Sequence, residues 1–194
     1  MDVKDAIERR RAYRSLAPVE IAEELARDLA HHAQLAPSCF NNQPARFVFV
    51  WEPEQLVRMH EALSSGNEWA KRASMIIAVF AEREADCVVR DREYYLLDTG
   101  LALSMLLLRA TELGLVAHPI AGYSPRKTRE ILGIPDNAQV IALVIVGRHS
   151  DTINPELSDK QVESERERPA RRPIEEAAFF NRYRPAEGEK GDQV

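Results

Sequence analysis

The sequence predicts a single domain in which helices pack on a β-sheet, an α/β or α+β sandwich. Strand-like and helix-like patterns alternate through Gly147, and two β-rich apolar runs, Met75 to Phe80 and Val140 to Val146, stand between polar or helical segments. With 194 residues the chain can bury one substantial core but is short for two.

Each element follows from local chemistry. Asp5 to Arg9 reads as the end of a short polar helix. From Pro18 to Gln34, Ile21, Leu25, Leu29 and Ala33 recur every fourth residue, with Pro18 suited to a first turn and Glu20, Glu23 and Glu24 to its N-terminal end. Ala36-Pro37 stops that helix. Arg46 to Trp51 is continuously apolar from Phe47, which predicts a strand buried on both faces. Pro53 opens a helix through Leu63, a short helical piece surrounds Trp69, and Met75 to Phe80 forms a second strand pairing near the first.

Cys87 to Gly114 is the longest periodic segment. Leu97, Leu101, Met105 and Leu108 share one face, which Leu96, Leu103, Leu106 and Leu107 widen, so the pattern predicts a central, buried helix capped by Gly114. Ala117 to Ala121 reads as a short strand, Pro125 to Leu132 as a helix ended by Gly133, and Val140 to Val146 as a third strand. Beyond Ser150 apolar residues thin out and Pro155, Pro169, Pro173 and Pro185 interrupt any long element, so this segment wraps another surface or stays disordered.

Composition excludes several classes of function. Acidic residues outnumber basic ones 31 to 26, giving a net charge of -5 without a uniform basic field, which argues against a nucleic-acid partner. The two cysteines, Cys39 and Cys87, have no CxxC spacing and no histidine at a ligand interval, so neither a disulfide framework nor a metal site is expected, and a reducing cytoplasm fits. No secretory leader or membrane span is expected. No Gly-x-Ser-x-Gly elbow surrounds Ser38, and no Gly-x-Gly-x-x-Gly follows a strand, which disfavours hydrolase chemistry and a Rossmann-bound nicotinamide. His31, His32, His60, His118 and His149 lack ligand spacing and read as surface or core residues.

Two segments carry chemistry. Arg10-Arg11-Ala12-Tyr13-Arg14 concentrates permanently charged guanidinium groups that can grip phosphate oxygens bidentately. Ala36-Pro37-Ser38-Cys39-Phe40-Asn41-Asn42-Gln43-Pro44 is a polar loop whose Ser38, Asn41, Asn42 and Gln43 can read the carbonyls and ring nitrogens of a heterocycle.

In combination and order these segments resemble the nitroreductase family of FMN-dependent oxidoreductases, from about Ile7 to about Phe180. The resemblance implies an α+β fold with a central mixed β-sheet flanked by helices and a domain-swapped homodimer. It implies one FMN-binding domain over 1-184, an arm over 150-184 embracing the partner, and a flexible tail over 185-194. Arg10 would hold the FMN phosphate and Arg14 the pyrimidine side, Arg11 would belong to the same cofactor site, and Ala12 stands where relatives usually carry serine. Pro37, Ser38, Asn41 and Gln43 would line the flavin. Asn67 and Lys71 would face the ring, the lysine favouring the anionic reduced form.

The backbone at Ala121 and Gly122 would approach the flavin's N5 and O4. Arg171 and Arg172 resemble the late basic motif that completes the phosphate clamp, Arg172 being favoured, while Arg166 and Arg168 read as surface partners of glutamates. Tyr94 and Tyr95 would border the substrate channel. The implied activity is electron transfer from NADH or NADPH through FMN to acceptors such as nitroaromatics or quinones, without an obligatory acid or base. Ala12, and Ala45 in place of the tryptophan many relatives carry, keep open a flavin-binding sensor or carrier without turnover. A dehalogenating or flavin-fragmenting member would add a larger lid than the modest Glu82 to Arg92 segment.

Overall fold

In the computed structural model, which describes residues 1-184, the chain runs α1 (Val3–Arg9), β1 (Leu16–Ala17), α2 (Glu23–Gln34), β2 (Arg46–Val50), α3 (Pro53–His60), β3 (Met75–Glu82), β4 (Val88–Val89), β5 (Arg92–Glu93), α4 (Tyr95–Glu112), β6 (Val116–Ile120), α5 (Pro125–Leu132), β7 (Ala138–His149), α6 (Asp159–Arg166) and α7 (Ile174–Ala177). The tail expected over 185-194 lies outside the described residues.

β7 carries β3 along one edge and β6 along the other, β2 extends the sheet beyond β3, and β1 joins the end of β7 at Leu16↔His149. Every pairing is antiparallel, which corrects the expected mixed sheet. The connections explain this. Helices α3 and α5 have eight residues each, about 12 Å of rise, too short to carry the chain back along a strand. Only α4, with 18 residues and about 27 Å, does so, and it leads from the β3 region to β6, which run the same way on opposite sides of β7.

Successive side chains of β3 serve opposite faces. Ile76 and Ala78 join Met59, Trp69, Leu143 and Ile145 in one core beneath α3 and α5. Met75, Ile77 and Val79 join Leu29, Leu106, Val144 and Val146 in another beneath α2 and α4.

Four expectations change. The helix expected from Pro18 begins at Glu23, because Leu16–Ala17 pairs with β7 and the Val19 N–H donates to Ser74 Oγ at 2.9 Å, holding this stretch extended. The strand from Arg46 pairs with β3 alone and is only partly buried, so it is an edge strand. The helix expected from Cys87 begins at Tyr95, preceded by the β4–β5 hairpin. Its named face also stays open: Leu97, Leu101 and Met105 are 55%, 37% and 36% exposed, while Ala102, Leu106 and Ala110 supply the buried stripe, because the sheet covers only one side of the helix.

The cysteines also depart from expectation. Cys39 and Cys87 are joined by a disulfide with Cα atoms 6.2 Å apart. The bond links residues 48 positions apart, a pairing that linear spacing cannot announce. Among the described residues, no helix is long and apolar enough to cross a membrane.

Candidate functional site

The arginine segment is placed by both ends of the chain. Asp2 caps α1 by accepting the Asp5 N–H at 2.8 Å, α1 stops at Arg10, and the chain continues into β1. On the other side, Ser158 and Gln161 form a capping box that starts α6. Helix α6 delivers Glu165, only 5% exposed, whose carboxylate accepts the Arg14 N–H at 2.6 Å and the Ser15 N–H at 2.9 Å. Arg11 donates to the Ser164 carbonyl at 2.7 Å and lies over the Tyr13 ring at 4.6 Å. Arg168 donates to the Glu8 carbonyl and, at 2.8 Å, to that of Arg10.

These contacts enclose a cavity of about 150 Å³ lined by Arg10, Arg11, Ala12, Arg14, Ser164, Arg168, Pro169 and Arg171. Among the described residues, no carboxylate lines it. Burial, then the like charges of Arg168 and Arg171, hold the Arg10 guanidinium below its ordinary pKa. The Arg14 guanidinium is lowered by burial, against which Glu165 acts. Cations crowded into a partly buried space are relieved by an anion, and a phosphate group suits the donors. Arg172 is exposed and does not line this cavity; Arg168 does, rather than serving a surface glutamate.

Behind Arg14 lies a ring stack that motif reasoning passed over. The Arg14 guanidinium sits 5.8 Å from the Trp69 ring centroid, Trp69 lies 4.8 Å from His118, and His118 Nδ1 donates to the Tyr13 carbonyl at 3.1 Å. Burial pushes His118 down to about 4, so it is neutral near pH 7. Its alternation within a strand was a core signal, but no local spacing could reveal the partners.

The second segment folds into a tight turn. Ser38 Oγ accepts the Gln43 N–H at 2.9 Å, Gln43 Nε2 donates to the Asn41 carbonyl at 3.2 Å, and Arg46 donates to the Gln43 carbonyl at 2.6 Å. Phe40, Asn41 and Gln43 have φ values of 48°, 59° and 50°, left-handed for side chains that rarely adopt them. Pro37, Ser38 and Gln43 line a cleft of about 80 Å³ with Asp98 of α4, a residue sequence reasoning missed. This cleft and the arginine cavity share no lining residue.

The remaining candidates divide. Asn67 and Gly122 are brought together: Asn67 Nδ2 donates to the Gly122 carbonyl at 2.8 Å, and Asn67 Oδ1 accepts from Trp69 Nε1 at 3.1 Å. A Cβ at Gly122 would collide with Asn67 Nδ2, the end of a side chain, so any larger residue here must displace the Asn67 amide. Ala121, beside it, is exposed. Lys71 is ion-paired with Glu68, which raises its pKa first through that hydrogen bond. Tyr95 is buried and donates to Gln139 Oε1 at 2.8 Å, a packing role, whereas Tyr94 is partly exposed with Arg92 over its ring at 5.8 Å.

Residues 7–148 match the sequence model of the nitroreductase family. A protein of Archaeoglobus fulgidus provisionally named NADH dehydrogenase/NAD(P)H nitroreductase is 33% identical over 147 residues, 73% of this chain and 82% of the relative. A Thermus thermophilus protein named NADH dehydrogenase is 27% identical over 178 residues, covering 76% and 86%. Among solved structures, an oxidoreductase containing FMN aligns with a TM-score of 0.78 at 27% identity, over 95% of this chain and 94% of its own. A protein of Exiguobacterium sibiricum solved in complex with FMN has the same fold, with a TM-score of 0.75 at 24% identity over 93% and 97%.

Proposed function

Because the chain belongs to the nitroreductase family, we propose that it is an FMN-dependent oxidoreductase that takes electrons from NADH or NADPH and passes them to electron-poor acceptors such as nitroaromatics or quinones. The observation that carries the reading is the cavity of about 150 Å³ in which arginines from residues 10-14 and from the C-terminal segment converge, with no lining carboxylate among the described residues. Arg10, Arg14 and Arg171 would hold the FMN phosphate and neighbouring polar edge, and Arg168 adds charge while fixing the Arg10 carbonyl. FMN, when bound, supplies hydride acceptance and release, so the protein's task is to bind, orient and exclude water. Glu165 and the Trp69–His118 stack keep the arginine segment in place from behind.

The working form is proposed to be a domain-swapped homodimer. The Ser38 cleft and the arginine cavity are separate within one chain, and a second copy would bring the loop of one to the arginines of the other. Leu97, Leu101 and Met105 on α4 and Ile174, Phe180 and Tyr183 on the arm are exposed apolar groups that a partner would cover. Purified protein should be yellow with a flavin spectrum and should oxidise NADH with menadione as acceptor. Colourless protein that takes up no added FMN would refute the reading, and a yellow protein without NADH oxidation would favour a flavin carrier.

A further inference from the structure

We infer that Cys39 and Cys87 form a thiol–disulfide exchange site that gates the flavin loop: the oxidised pair holds the Ser38–Gln43 turn in its binding shape, and a small-molecule thiol releases it. The gating half rests on the FMN reading above; the exchange half does not.

The turn needs an external hold. Three of its residues, Phe40, Asn41 and Gln43, sit in the left-handed region without being glycine, a conformation that persists only where surroundings impose it. Packing does not impose it, since Phe40 is 84% exposed. Besides the bonds within the turn and the one from Arg46, the ties to other elements are the Cys39 N–H to Asp98 Oδ2 at 2.6 Å, Asn42 Nδ2 to Asp86 Oδ1 at 3.2 Å, and the disulfide. Both tethers across to the hairpin end at neighbouring residues, Asp86 and Cys87, and the Cys87 carbonyl accepts the Tyr94 N–H at 3.2 Å beside the start of α4. Loop, hairpin and helix are thus joined at one point.

Access suits exchange, and charge sets its resting side. Neither cysteine is fully buried, unlike an inert core cystine. The Asp86 carboxylate lies within 4.8 Å of both sulfurs, and a nearby carboxylate disfavours thiolates, so it favours the uncharged disulfide over a dithiolate and reduction calls for an excess of thiol. In the reaction two small-molecule thiols give up two electrons and two protons, the Cys39–Cys87 bond breaks to two thiols, and one small-molecule disulfide forms.

The full-length protein is equilibrated with oxidised glutathione or with dithiothreitol under native conditions, and alkylation counts the thiols. The expected counts are none and two, matching the two cysteines. On reduction the FMN dissociation constant should rise about five- to tenfold, the lower end of typical coupling between sites, and trypsin should cut faster at Arg83, Arg90 and Arg92. Cys87→Ser should show the weaker binding under both conditions. Resistance to native reduction, or equal FMN binding and equal trypsin rates once the counts have changed, would overturn the inference. Failure of both states to bind FMN would instead overturn the cofactor reading, while the trypsin rates still decide whether the disulfide holds the loop.

Discussion

Glu165 illustrates how one buried charge organises a site from behind. Its carboxylate is spent on the backbone N–H groups of Arg14 and Ser15, so it orders the arginine segment without lining the cavity. Glu165→Gln presents an amide NH₂ where an acceptor is needed, and should lower stability by about 1–3 kcal/mol, read as a lower urea midpoint with unchanged slope. Arg10→Ala removes a charge-assisted contact and should weaken FMN binding by about 1.5–3 kcal/mol, read by flavin titration of the apoprotein; unchanged affinity would reject its phosphate role. His118 makes the pH dependence explicit. Its folded value, about 4, lies below the usual 6.5, so its contribution is fully present above about pH 6.5 and is lost as pH falls towards 4. The loss is about 3 kcal/mol, visible as the difference between wild type and His118→Gln in urea unfolding at pH 7 and pH 4. A difference that does not change with pH would refute it.

At the scale of elements, α4 has two unlike faces. Ala102, Leu106 and Ala110 pack on the sheet, and Arg109 clamps α2 by bidentate bonds to Asp28 at 2.6 and 3.0 Å. The opposite face carries Leu97, Leu101 and Met105 into solvent. Leu101→Glu with Met105→Glu should leave the folded monomer intact and abolish the dimer in sedimentation velocity; a variant that remains dimeric would place the interface elsewhere. The turn after β6 is tighter. Gly122→Ala pushes Asn67 off the Gly122 carbonyl and Trp69 Nε1, and should cost about 1–3 kcal/mol by urea unfolding, with no cost if the turn can open.

For the whole molecule, antiparallel closure around β7 places residues 10-14 beside residues 164-171, so a cationic cavity is assembled from segments about 150 positions apart. Periodicity alone was enough for the strands at Met75 and Val140 and for the helix at Pro125, because alternation, apolar runs and caps are local. Order and residue type likewise picked out Arg10, Arg14 and the Ser38 loop, which the structure places on one cavity and on a separate cleft. The same local pattern misplaced the start of α2, where pairing of Leu16–Ala17 with β7 outweighed helix chemistry, and it read the Leu97 face of α4 as buried because apolar spacing says that a face needs cover without saying what covers it. The choice of Arg168 and Arg171 over Arg172, the burial of Glu165 and the Cys39–Cys87 bond depend on which distant segments meet. The sequence by itself determined most of the elements and the chemical character of the candidate residues, since both are written in neighbouring residues; tertiary structure decided where α2 and α4 begin, strand direction, the lining of the cavity and the disulfide, since each depends on contacts between residues far apart along the chain.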